Sequence, residues 1–214
     1  MNFFSYVYER LDDLLPLGVE HITVVGVSIS ISTIIGVTIG LASYRNARFR
    51  SLALSITGVF LTIPSFALFG VMISILGLGF KPTVVALVMY GLLPIVRNTV
   101  TGLGEVDTAI VESAKGMGLS AGQRLRSIEL PLAWPVILTG VRVSTQLQVG
   151  VAAIAVIVRG PGLGAPIFAG LGRIGGANAT NQILSGIVGV ILVALVFDLF
   201  YNLLFRLTTT RGIR

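Results

Sequence analysis

Val111-Glu112-Ser113-Ala114-Lys115-Gly116-Met117-Gly118-Leu119-Ser120, followed by Arg124-Leu125-Arg126-Ser127-Ile128-Glu129-Leu130-Pro131, is the stretch on which the reading of this chain turns. Val111, Ala114 and Met117 recur at helical spacing and give one apolar face. Gly118 supplies the turn that ends this helix, and Leu119 or Ser120 begins a second, short one. Pro131 then starts an ascent into a long apolar run. The connection spans about residues 105–134, far longer than the usual link between helices, and such loops are structured or functional. Two short helices held at a membrane surface are suited to docking in a groove of another protein.

Outward from this loop the charges thin out. Of 214 residues 54% are hydrophobic and 11% charged, against about 25% charged in soluble domains, and the mean hydropathy is +0.95. Lipid is therefore the solvent for most of the chain, and a soluble enzyme is excluded. A helix needs about 20 residues to cross the hydrocarbon core, and five candidates emerge: Ile22–Tyr44, a run between Arg50 and Lys81, Pro82–Thr101, Pro135–Val158 and Ile183–Phe205. The first has Gly36 and Gly40 at a spacing that permits close helix contact or arises by chance among 26 glycines. Pro64, before Ser65, makes the second long, bent or broken. The third contains Pro94 and then Arg97, which can snorkel to the interface. The glycine-rich 159–180 region is unsuited to a spanning helix and reads as an external re-entrant or loop segment. Its Gly160-Pro161-Gly162-Leu163-Gly164 lacks the Lys-Ser/Thr ending of a phosphate-binding loop.

Five spans divide the basic residues unequally. Arg45, Arg48, Arg50, Arg97, Lys115, Arg124, Arg126, Arg206, Arg211 and Arg214 fall on one side, and Arg10, Lys81, Arg159 and Arg173 on the other. Basic residues gather in cytoplasmic loops, so the N-terminus is expected outside and the C-terminus inside. The chain then reads as an extracytoplasmic lead-in (1–20), a transmembrane unit (21–207) and a cytoplasmic tail (208–214). The lead-in is acidic, which is unlike a cleavable signal peptide. The net charge of +6 comes without a basic run interleaved with aromatics, so nucleic acid is not an expected partner. Zero cysteines and a lone His21, read as an interfacial polar residue, leave no metal site expected.

Polar groups inside the spans are candidate pathway residues, because unsatisfied amides and charges are costly in lipid. Pro64, Ser65 and Pro94 mark bends beside a pathway, either moving or fixed. Gln146 and Gln148 either face a watery pathway or bond a neighbouring helix. They lie about 200° apart around a helix, so only one is expected to face the pathway. Arg142 and Asp198 each lie seven residues from the inner end of their spans, about 10 Å deep, and form either an intramembrane ion pair or two separate snorkelling charges.

The spacing Glu112-Ser113-Ala114, three residues, Gly118, nine residues, Ile128, one residue, Leu130-Pro131 resembles the EAA loop of permease subunits in binding-protein-dependent ABC importers. Only Ser113, in place of an alanine, departs from that pattern. Flanking stretches, Thr62-Ile63-Pro64-Ser65, Leu92-Leu93-Pro94-Ile95-Val96-Arg97-Asn98-Thr99 and Ala114-Lys115-Gly116-Met117-Gly118, are similar to the osmoprotectant branch, the permeases for glycine betaine, carnitine and choline. Arg159 and Pro161 depart from the uncharged run usual in those relatives and are placed at an external gate.

The resemblance implies an all-α polytopic fold of the type I importer permease, with about five transmembrane helices and a cytoplasmic coupling-helix loop. It implies a transport subunit rather than an enzyme, without cofactor of its own, in a bacterial or archaeal inner membrane. Its implied partners are cytosolic ABC ATPase subunits that bind ATP and Mg, a second permease subunit (a copy or a related chain) and an extracytoplasmic solute-binding protein, with lipid around them. It assigns ATPase docking to Glu112, Ser113, Ala114, Gly118, Leu119, Ser120, Ile128, Leu130 and Pro131, with Glu112 pairing with a basic residue or capping the helix and Leu119 to Leu125 inserted. An importer for another small solute such as an amino acid, or an ion-coupled secondary transporter, is the alternative; the latter usually needs several intramembrane acids, and only Asp198 qualifies.

Overall fold

Hydrocarbon offers no hydrogen-bond partner to a peptide group, so the apolar runs fold as helices that satisfy their own backbones. The computed structural model describes residues 2–209, and the described residues contain helices and turns but no strand. In chain order they are α1 (Phe3–Glu9), α2 (Leu11–Ser43), α3 (Ala47–Thr62), α4 (Ser65–Leu76), α5 (Phe80–Gly104), α6 (Thr108–Gly116) and α7 (Ala121–Arg124). A π turn (Leu125–Glu129), α8 (Leu130–Ala152), a 3-10 turn (Ala153–Val158), α9 (Gly164–Leu171) and α10 (Ala179–Thr208) follow. Four segments are long and apolar enough to cross a membrane, and the bent pair α3–α4 makes a fifth if counted as one span.

The helix bounds differ from the sequence windows at both ends. α2 begins at Leu11, so the last ten residues of the expected lead-in are helix continuous with the first span. Pro16 does not stop it; the uncharged window missed this turn because Asp12, Asp13 and Glu20 interrupt it. α10 runs through Thr208, and residues 210–214 of the expected tail, with Arg211 and Arg214, lie outside the described residues.

α5 is the centre of the bundle: 61% of its apolar window is buried, against 17% for α10. Without a hydrophobic force between helices in lipid, contact depends on close packing and on polar bonds. The spacing of Gly36 and Gly40 does produce contact, because a Cβ at either would run into Ile95 or Thr99 of α5. These pairs make α2 and α5 parallel. Across α5, Gly140 of α8 lies against Pro94 and Asn98, which makes α8 antiparallel to it. α10 is held to α8 by a polar seam: Trp134 to Thr208 at 2.8 Å, Arg142 to Asp198, and Thr145 to Tyr201 at 2.8 Å. α8 and α10 are therefore antiparallel, and the chain crosses five times with its ends on opposite faces.

The second crossing breaks where Pro64 stands, with α3 and α4 bent by 96°. Tyr90 of α5 donates its hydroxyl hydrogen to the freed carbonyl of Ile63 at 2.6 Å, which fixes the elbow. Pro94 behaves otherwise: α5 continues through it, and the Asn98 amide bonds the Pro94 carbonyl at 2.8 Å. The glycine-rich segment folds back as α9 against α10 at the end opposite the long loop, as a re-entrant reading expects. His21 is not interfacial. It is fully buried, with Nε2 donating to the Val149 carbonyl (3.1 Å) and Nδ1 accepting from the Leu163 amide (3.3 Å), and so ties α2 to α8 and to the start of the folded-back segment.

Candidate functional site

α6 starts on Asp107, whose carboxylate accepts the Ala109 amide at 2.8 Å. The cap is thus Asp107; Glu112 sits mid-helix and exposed, so its capping alternative is set aside and its carboxylate makes no ion pair among the described residues. α6 ends where Gly118 takes φ +83, a left-handed conformation that L side chains rarely adopt. The Leu119 amide reaches back to the Ala114 carbonyl (3.2 Å) and the Gly118 amide to Lys115 (3.0 Å), the paired bonds of a glycine-terminated helix. Ser120 then opens α7 with a reciprocal cap, accepting from the Gln123 backbone while the Gln123 side chain accepts from Ser120. A glycine and a serine set the break between the two helices; the sequence predicts the glycine, and of its two candidates for opening the second helix, Leu119 and Ser120, the cap is Ser120.

The faces are distributed differently from the sequence reading. Ala114 is fully buried and Val111 half-buried, but Met117 is 71% exposed and projects from the turn instead of joining their face. Exposed Ile110, Glu112, Ser113, Met117 and Ser120 form the outer surface of the hairpin. Leu119, Ile128 and Leu130 are half-buried and Pro131 is exposed. The second helix is only Ala121–Arg124 in α form, and it does not stop before Pro131. One π turn, Leu125–Glu129, carries it directly into α8. Pro131 lacks the amide a regular helix needs and crowds the carbonyl four residues back, so a locally widened turn accommodates it.

What fixes this strut was missed in the sequence. Glu129 is 4% exposed and accepts from Arg45 (2.8 Å) and from the Tyr44 hydroxyl (2.7 Å), both in the α2–α3 turn. Burial, the bond to Glu129 and that carboxylate's charge push the Tyr44 pKa up to about 12, so the phenol keeps its proton. The available signal was a lone acid at the edge of an apolar run.

Within the spans, Arg142 and Asp198 are brought together, Nε to Oδ1 at 2.8 Å, with the Asn202 amide on the other carboxylate oxygen at 3.1 Å. The two glutamines both bond neighbours: Gln146 donates to the Ala194 carbonyl of α10 at 3.3 Å, and Gln148 to the Ser32 hydroxyl of α2 at 2.8 Å. Gln148 is fully buried and has no free surface for a pathway, whereas Gln146 stays half-exposed. Pro64 is exposed at the elbow with Ser65 half-buried, and Pro94 is half-buried mid-helix. Arg159 is exposed and, at φ 52, the one non-glycine residue with positive φ among those described. No cluster of three or more metal-ligating side chains occurs among the described residues.

Long apolar helices around an apolar core, joined by scattered interhelical polar bonds, with an ordered hairpin at one end, define a multi-pass membrane protein that presents a folded surface outside its spans. The chain belongs to the family of binding-protein-dependent transport system inner membrane components, whose model matches residues 32–210. The osmoprotectant import permease protein OsmW of Salmonella typhimurium is 35% identical over the full length of both chains. The glycine betaine/carnitine/choline transport system permease protein OpuCB of Bacillus subtilis is 33% identical, covering 100% of this chain and 96% of its own. The choline transport system permease protein OpuBB of the same organism is 35% identical, covering 94% and 91%. The fold matches the inward-facing MetNI methionine ABC transporter, with a TM-score of 0.80 over 92% of this chain and 96% of that one at 23% identity. The chain is therefore a transport component with the type I importer permease fold, and ATP hydrolysis lies with a separate ATPase.

Proposed function

We propose that this chain is half of the translocation pathway of an importer for small compatible solutes carrying a quaternary ammonium group, such as glycine betaine, carnitine and choline. The observation that carries the substrate class is near-full-length identity of 33–35% to permeases named for those solutes. The hairpin α6–α7 docks in a cytosolic ATPase. Glu112 offers it an unpaired carboxylate, Met117 an apolar knob and Gly118 the turn, while the strut through the π turn carries the motion into α8. Ser113, Ala114, Leu119, Ser120, Ile128, Leu130 and Pro131 shape that hairpin. A second permease subunit completes the pathway, an extracytoplasmic binding protein delivers solute, and ATP and Mg act only on the ATPase.

The exposed basic residues are divided between the two ends, with Arg45, Arg48, Arg50, Lys115, Arg126 and Arg206 at the hairpin end and half-buried Arg124 beside them. That supports a cytoplasmic hairpin, an outside N-terminus and residence in a bacterial or archaeal inner membrane. Beside the pathway stand the Pro64–Ser65 elbow, Pro94 and the half-exposed Gln146. The Arg142–Asp198 pair serves assembly of α8 with α10. The test is uptake by the complex with its ATPase and binding protein in proteoliposomes. Glycine betaine, carnitine or choline is accumulated and methionine is not; accumulation of an amino acid instead overturns the substrate class.

A further inference from the structure

Two arginines, Arg97 and Arg142, lie more than a turn inside the spans among the described residues, and their surroundings differ. Arg142 is neutralised by Asp198. Arg97 is exposed and has neither an ion pair nor a hydrogen bond among the described residues, although it lies seven residues inside the end of α5, about 10 Å deep. It stands on the one strip of the inner half of α5 that neighbouring helices leave open, in line with Pro94 and exposed Thr101. Tyr90, on the same side of α5, is tied to the α3–α4 elbow, and Asn98 lies against Gly140 of α8, so the strip runs between the elbow and α8. The exposed face of α8 is mixed: Thr139, Gly150 and half-exposed Gln146 alternate with exposed Val143 and Leu147, whereas α10 exposes mainly leucines, isoleucines and valines.

A guanidinium without a counter-charge at this depth needs water or an anion. A second copy of this chain supplies no free one. In the inner half of the spans the acids among the described residues are Asp198, both of whose oxygens are engaged, and Glu129, which is taken by Tyr44 and Arg45; Asp12, Asp13 and Glu20 lie toward the opposite end of α2. Water or an arriving anion is left to satisfy Arg97. We propose that Arg97 receives the carboxylate of a zwitterionic solute as it crosses, and that it sets the preference of the pathway for carboxylated over uncarboxylated ammonium solutes. The planar fork of arginine fits a carboxylate in two parallel hydrogen bonds, while an ammonium lacking a carboxylate offers it nothing. This assignment rests on the substrate class proposed above.

The test is the ratio of glycine betaine to choline uptake by the complete importer in proteoliposomes, each solute supplied on saturating binding protein so that capture is not limiting. R97Q is expected to lower the ratio at least tenfold, and R97K to hold it within about threefold of wild type. T101E, which places a competing carboxylate one helical turn from Arg97, is expected to lower it as R97Q does and keeps the test open if R97Q fails to assemble. An unchanged ratio in R97Q or T101E, with both solutes slowed alike or neither slowed, overturns the assignment and points to a lipid headgroup or a fixed structural contact. A wild-type importer that carries neither solute overturns the substrate class, and this assignment falls with it.

Discussion

Glu129 shows how much of the packing at the foot of the hairpin hangs on one side chain. Its carboxylate is buried at the foot of the strut and is bonded by two residues more than 80 positions away in sequence. Removing one partner of a buried, charged hydrogen bond leaves the other unsatisfied, at a cost of about 1–3 kcal/mol. Glu129→Ala is expected to destabilise by that order and to lower the unfolding midpoint in detergent, while Arg45→Ala has a smaller effect because the Arg45 side chain is half-exposed. Equal midpoints in Glu129→Ala and wild type would remove Glu129 from the account. Arg142 and Asp198 allow a sharper test. Either reversed alone, Arg142→Asp or Asp198→Arg, is expected to impair assembly, and the double reversal to restore it in part; no rescue means the two charges act separately. Matched depth made this pair legible in the sequence. Glu129 was illegible because its partners lie in a distant turn that only the folded chain brings near.

At the scale of elements, the hairpin was readable because each of its stops is local chemistry. A glycine at positive φ and a serine–glutamine cap are set within three or four residues and owe nothing to the rest of the chain. Gly118→Asp places a side chain at φ +83 and costs about 1–3 kcal/mol of local strain, so it is expected to release the turn without disturbing the spans. ATP-driven uptake should fall at least tenfold while size-exclusion behaviour and helix content stay those of wild type; unchanged uptake contradicts a coupling role for the hairpin. The packing of α2 on α5 is tested by Gly40→Leu, which would run into Thr99. It is expected to lower the unfolding midpoint, and Gly58→Leu, where nothing lies within 4 Å, is expected not to. The π turn escaped the sequence reading because proline is commonplace at a helix start, and Pro131 was taken to mark a new helix rather than a widened turn inside a continuous one.

For the whole molecule, the sequence reading was right where counting suffices and silent where packing decides. Charge spacing gave five crossings, and helix polarity in the structure agrees: α2 is parallel to α5, α8 is antiparallel to both, and the ends lie on opposite faces. Which polar side chains face outward depends on helix rotation, which a one-sequence reading cannot fix. That is why the bonds of both glutamines to neighbouring helices, and the exposure of Arg97, had to await the folded chain. The molecule that results is a bundle of spans joined by a strut to a hairpin, and under the proposed function ATP hydrolysis by a partner moves solute through it. Uptake of labelled glycine betaine into proteoliposomes holding the complete importer, with binding protein outside and ATP inside, measures this most directly. The account predicts accumulation that requires lumenal ATP and is indifferent to proton and sodium gradients; accumulation that follows an ion gradient and persists without ATP would contradict it.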